Sequence, residues 1–238
     1  LLTLITIAFS IMVWLGGEKV RTETRKSFAN TLSGTDLVVG ARSGQVQLLL
    51  YSVFRMGDAT SNISWQTFQK INNHRLVDWT IPISLGDSHR GYKVLGTNEN
   101  YFKHYRYGNR RALEISDGKE FSGLFDVVLG AEVAEKLNYK VGDRIVVSHG
   151  MGDTSFARHD DKPFTISGIL SRTGTPVDQT LHLSLEALEA IHIDWKSGVR
   201  DKNSTVTVTD VEKMQLQPEQ ITAFLVGMKS KVSTFQLQ

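Results

Sequence analysis

The stretch FDVVLGAEVAEKLNYKVGDRIVV, Phe125 to Val147, decides the fold. Its apolar run Val127-Val128-Leu129 reads as a strand closed by Gly130. Ala131 to Leu137 reads as a short helix, with Val133, Ala134 and Leu137 on one face at i, i+1 and i+4. Asn138 is a left-handed helix stop. Val141-Gly142-Asp143 then turns the chain into a second strand, Arg144 to Val147. Strand, short helix, tight turn, strand is a packing unit, and it carries no chemistry of its own.

Working outward, the sequence alternates short apolar runs with turns. Downstream come a polar loop, Ser148 to Lys162, and a strand, Phe164 to Leu170, ending at the turn-rich Thr173-Gly174-Thr175-Pro176. Leu181 to Leu183 reads as a strand running into a helix from Ser184 to Ile191. Ser184 is its N-cap, Glu186 suits the helix dipole, and Leu185 and Leu188 form its apolar side. Ser204 to Val208 alternates as a strand, and Gln220 to Leu225 reads as a strand or a helix start. Upstream, Thr35 to Val39 is a strand. Gln45 to Arg55 reads as a helix with Val46, Leu49, Leu50 and Val53 on its apolar face. Ser64 to Ile71 is a helix capped at Asn62 or Ser64, burying Trp65, Phe68 and Ile71. Trp79 to Leu85 and Tyr92 to Thr97 are strands, with the turn expected at Gly86-Asp87-Ser88. In Tyr101 to Arg111 the aromatic rings are expected to pack inward, leaving Lys103, Arg106, Arg110 and Arg111 in water.

Composition excludes several functions. The 238 residues carry a net charge of +2, without the clustered basic face of a nucleic-acid binder. There is no cysteine, which removes disulfides, thiolate zinc sites and thiol catalysis together. No G-x-S-x-G elbow and no P-loop occurs, so the sequence argues against an enzyme. His149, His159, Asp160, Asp161, His182 and His192 form the one set worth weighing as a metal site, but no compact ligand spacing links them.

The ends carry more information. LLTLITIAFSIMVWL, Leu1 to Leu15, holds no charge and would span roughly 22 Å as a helix. A bilayer needs about 20 residues, so the run is expected to be the outer part of a transmembrane helix that begins upstream, with Trp14 at the interface. A buried core helix is the alternative. After Gly16-Gly17 the sequence turns to EKVRTETRKSFAN, a charged stalk. The final residues, Gly227 to Gln238, have the same polar character and are expected to lead back to the membrane.

An apolar membrane exit and polar helix, then VVLGAEVAEKLNYKVGDRIVV, KPFTISGIL and LHLSLEALEAI in that order, resembles the extracytoplasmic domain of MacB/FtsX-type ABC transporter permeases, the group that includes LolC and LolE. The resemblance covers about residues 1 to 235 and is most specific between Phe125 and Ile191. It implies an α+β fold in two lobes, a porter-like α/β lobe with a mostly-β lobe inserted in it. On that pattern, 1–17 is the end of the first transmembrane helix and 18–34 the stalk. Residues 35–112 and 171–226 form the porter-like lobe, 113–170 the inserted lobe and 227–238 the return stalk. It also implies a bacterial inner-membrane protein with this domain in the periplasm. The implied partners are a cytoplasmic ABC ATPase, a second permease copy or homologue, and a periplasmic adaptor or lipoprotein. The implied function is mechanical: coupling the ATPase to movement of a substrate, or to activation of a partner, outside the membrane. No catalytic, cofactor or metal residue carries over. The competing expectation is a membrane-anchored metal- or solute-binding domain using the histidine and aspartate set.

Overall fold

The computed structural model describes residues 1–42, 44–149, 162–193, 195–196, 199–200, 211, 214, 216–230 and 234. The chain opens with one long helix, α1 (Leu2–Thr31), about 45 Å from end to end. It runs unbroken through Gly16-Gly17, where the sequence changes from apolar to charged. Leu4, Phe9, Met12 and Trp14 are all exposed, so the apolar half has no partner among the described residues. Leu2–Glu23 is long and apolar enough to cross a membrane.

The folded body follows in short elements. They begin with β1 (Leu37–Gly40), α2 (Gln45–Ser52), β2 (Ile63–Ser64), α3 (Trp65–Asn72), β3 (Val77–His89) and β4 (Tyr92–Thr97). Next come α4 (Asn100–His104), the small hairpin β5 (Arg106–Tyr107) and β6 (Arg111–Ala112), and β7 (Ile115–Gly118). The opening stretch supplies β8 (Asp126–Leu129), α5 (Ala131–Leu137) and β9 (Arg144–Ile145), and β10 (Ser148–His149) follows. Then come β11 (Phe164–Leu170), a 3-10 turn over Pro176–Gln179, β12 (Thr180–Ser184) and α6 (Leu185–His192). A hairpin of β13 (Trp195–Lys196) and β14 (Val199–Arg200), then β15 (Gln220–Ile221) and β16 (Ala223–Met228), complete the described elements.

A mixed sheet of ten strands organises the body, in the order β1-β16-β3-β4-β12-β8-β11-β7, with β10 added on β3 and β9 on β11. The long β3 bridges its halves: Val77 to Ile83 pair with β16, and Ser84 to His89 pair with β4. β4 with β12 and β8 with β11 are the parallel pairs. Residues 113–170 and 171–226 contribute adjacent strands, since β12 pairs with β8.

The apolar run in β8 shows why the sheet holds together. Successive strand residues point to opposite faces, so Val127 and Leu129 join one core and Val128 another. All three are fully buried. Both faces of β8 are covered, which is why its sequence is continuously apolar and does not alternate. On one face α5 and α6 contribute Val133, Ala187, Leu188 and Ile191. On the other, Tyr101, Phe102 and Tyr105 pack on Leu95, Val128 and Leu225. Each fully buried large aliphatic or Phe side chain contributes about 1.5–3 kcal/mol.

Local signals mostly act as expected. Asn138 stops α5 in the left-handed conformation, at φ 53°. Ser64 and Ser184 cap α3 and α6 by accepting from the N–H groups of Thr67 and Ala187. Four expectations are corrected. The turn at Gly86-Asp87-Ser88 is absent: β3 runs through it, with a register shift between Leu85 and Ser88. The chain reverses instead at Arg90-Gly91, φ 47° and 83°, the positive pair that a two-residue hairpin requires. The strand from Arg144 stops at Ile145, because the chain then changes partner and Ser148–His149 pairs with β3. Helix α2 forms, but Val46 and Leu50 are exposed, whereas Tyr51 and Ser52 are buried. It turns Leu48 onto Gly40, where a Cβ would lie 2.2 Å from Leu48 Cδ1, so the helix rotates away from its simplest apolar face. Finally, Gly227 and Met228 belong to β16 and continue the strand. Ser204 to Val208 and most of the loop after His149 lie outside the described residues.

Candidate functional site

The site that geometry singles out is the joint between α1 and the folded body. Tyr105 Oη donates to the Thr31 carbonyl at 2.5 Å. The Ser33 N–H donates to the Arg106 carbonyl at 2.9 Å, and the Gly108 N–H to the Asn30 carbonyl at 2.7 Å. The Arg110 N–H donates to Ser33 Oγ at 3.1 Å. The last turn of α1 is therefore held by the segment from α4 to the β5–β6 hairpin. Those bonds satisfy carbonyls that a helix C-terminus otherwise leaves open. Leu32 adds an apolar contact to the core beneath.

The returning end of the fold meets the same place. The Asp36 N–H donates to the Val226 carbonyl at 3.0 Å, and Asp36 Oδ2 accepts from the Met228 N–H at 2.7 Å. The exit of α1 and the end of β16 are thus bonded side by side. Asp36, Trp79, His104, Arg106, Arg110 and Lys229 line a 390 Å³ cavity at this joint. The Trp79 and His104 rings stack at 5.2 Å. Burial, followed by the Arg106 charge, holds His104 below its ordinary value.

From the joint a column of rings runs under the sheet. Tyr105 stacks on Tyr101 at 4.9 Å, and Tyr101 lies 5.0 Å from His182 on β12. Phe102 continues sideways to Phe121 at 5.2 Å. Burial pushes the Tyr101 phenol up to about 12 and Tyr105 higher still. The same burial holds His182 down to about 3, so its imidazole is neutral. His182 Nδ1 meets the Val128 carbonyl at 3.2 Å, tying the column to the opening strand. Nothing in this arrangement pairs a nucleophile with a base. It is a structural joint backed by rigid aromatic packing.

Of the histidine and aspartate set, the side chains of His182 and His192 are described, and they sit in different surroundings. His182 sits in the core under Tyr101 and Phe102. His192 Nε2 lies 3.4 Å from Asp87 Oδ2, at the junction of α6 and β3. The side chains of His149, His159, Asp160 and Asp161 fall outside the described residues. Among the described residues no three histidine or carboxylate groups come together as metal ligands. The sequence reading missed Tyr105 and Asp36. The i, i+4 spacing of Tyr101 and Tyr105 was the available signal, and it was read only as core packing.

Residues 1–224 match the family described as MacB-like periplasmic core domain. The chain belongs to that family. Membership accounts for an apolar entry helix followed by a mixed α/β body, and places this MacB-like domain outside the cytoplasm as part of an ABC transporter permease. Two solved structures are similar to it. The extracellular domain of the noncanonic ABC-type transporter YknZ from Gram-positive bacteria is 12% identical, with 74% of this chain and 78% of that chain covered and a TM-score of 0.44. The periplasmic region of MacB from Actinobacillus actinomycetemcomitans is also 12% identical, covering 84% of this chain and 78% of that one, at a TM-score of 0.47. Comparison with curated proteins finds no match.

Proposed function

We propose that this MacB-like domain acts mechanically, coupling ATP hydrolysis by a cytoplasmic ABC ATPase to movement of a substrate, or activation of a partner, on the outer side of a bacterial inner membrane. The observation that carries the reading is the pairing of Asp36 with Val226 and Met228. It brings the two ends of the body to one joint, the geometry needed for a domain set between two membrane helices. The clamp on Thr31 supplies a stiff connection through which a displaced helix would carry the body with it. A second permease copy or homologue, and a periplasmic adaptor or lipoprotein, are the partners that fit this role. Catalysis belongs to the ATPase, and the domain contributes shape and leverage.

Purification of the complete permease in mild detergent tests the reading. An ABC ATPase is expected to co-purify, and the coding sequence is expected to continue beyond Gln238 into a second apolar run of about 20 residues. A stop or a soluble domain at that point, together with no bound ATPase, contradicts it. Metal binding is not favoured, because His182 is enclosed by aromatic rings and no three histidine or carboxylate groups come together among the described residues.

A further inference from the structure

A second cavity, of 460 Å³, opens beside the start of β4. β3 reverses at Arg90-Gly91 into β4, and Lys93 near the start of β4 reaches the wall of this cavity. Phe54, Arg55, Met56, Lys93, Pro176 and Gln179 line it. Two cations and one acid, Glu132, are in the wall, and the rest of it is uncharged.

The cations are held in an unusual way. Arg55 adopts φ 59°, a left-handed conformation that costs a branched or long residue about 1–3 kcal/mol. Its Nη1 donates to the Ser52 carbonyl. No carboxylate among the described residues pairs with it. Its charge is instead felt by Tyr101, Tyr105 and His182 in the core below, where it opposes the effect of burial on the two phenols. Lys93 is the second cation. Its side chain is only 12% exposed and donates to the Gly57 carbonyl and to Asp58, whose side chain is 76% exposed to solvent. The one acid in the wall, Glu132, is engaged by Gln179 Nε2 at 3.1 Å. Met56 is 60% exposed at the rim. Arg55 is thus the part-buried cation without an acid, a state that is expensive unless an anion completes it.

We propose that this cavity binds a small amphiphilic anion, its carboxylate or phosphate head on Arg55 and Lys93 and its apolar body against Phe54, Met56 and Pro176. The inference stands on the cavity and is independent of the coupling role. Its test uses the 238-residue chain in zwitterionic lipid nanodiscs, with methyl-labelled methionine so that the Met56 methyl reports on the cavity by NMR. Octanoate and octyl phosphate are each expected to shift Met56 saturably. Inorganic phosphate should move it far less, and octylammonium not at all. Arg55→Gln and Lys93→Gln should each weaken octanoate binding about tenfold, the loss of one charge-assisted hydrogen bond. Lys93→Gln keeps the test decisive if Arg55→Gln fails to fold. Equal binding of octylammonium, full saturation by inorganic phosphate, or no saturable shift overturns the proposal.

Discussion

Tyr105 and Thr31 are 74 residues apart, and the Tyr105 hydroxyl donates to the Thr31 carbonyl at 2.5 Å, fixing the end of the membrane-entering helix to the body. A phenol in a fully buried position can do this because its ring is supported on both sides, by Tyr101 and by the core around Leu95 and Leu225. Replacing Tyr105 with Phe keeps the ring and removes one hydrogen bond, worth about 0.5–1.5 kcal/mol. Hydrogen exchange at the Ser33 and Gly108 amides is expected to quicken by more than the global change in stability. Exchange that tracks global stability alone would show that the clamp does not depend on Tyr105.

Gly130 closes the strand of the opening stretch for reasons of space. Its φ of −67° is ordinary, but a Cβ there would lie 2.2 Å from the Val177 carbonyl oxygen and 2.5 Å from that of Asp178. These are backbone atoms and cannot rotate away. Gly130→Ala is expected to destabilise the domain by about 1–3 kcal/mol in urea unfolding, the ordinary range for overpacking. Gly44→Ala, with nothing within 4 Å, should change little. Equal stability of the two variants would mean that the 3-10 turn yields freely.

His182 gives the domain an acid limb. The unfolded imidazole takes up a proton below 6.5, whereas burial keeps the folded one neutral to about 3. The unfolded state then binds more protons, so stability is full above pH 6.5 and falls as pH drops toward 3, by at most about 1.4 kcal/mol per pH unit for this one group. His182→Phe should flatten that slope in unfolding measured across the window. At the alkaline end Tyr101 acts in the reverse sense. It stays neutral to about 12, so stability falls as pH rises above 10, where the unfolded phenol ionises.

Ser184 tests a smaller device. It accepts the Ala187 N–H at 3.0 Å and starts α6, whose Leu188 packs on Gly96. Ser184→Ala should cost about 1 kcal/mol, and Ser184→Asp should recover most of it. Failure of Asp to recover stability would assign the loss to the strand side of Ser184.

Much of the fold was legible because local rules and tertiary packing agreed. Asn138, Ser64 and Ser184 each carry a capping preference that a single residue expresses. The run Val127-Val128-Leu129 was legible as a strand, and the structure adds that both its faces are covered. What the sequence hid were features set by distant partners. Gly86 looks like a turn, but β16, β4 and β10 together hold β3 extended through it. The face of α2 is chosen by the space over Gly40, some residues away. The joint was harder to read still. Tyr105 and Asp36 are ordinary residues in sequence, and their roles depend on what lies 74 or 192 positions along the chain.

The central claim is that the domain moves as a lever driven from the membrane. The chain contains no cysteine, so a Lys136→Cys spin label on the exposed side of α5 would be specific within this domain. Pulsed electron–electron resonance between the two labelled copies of the complete permease, assembled with its ATPase, reads their separation directly. A distance distribution that shifts between the nucleotide-free and ATP-trapped states is the predicted result. Identical distributions in both states would contradict the account.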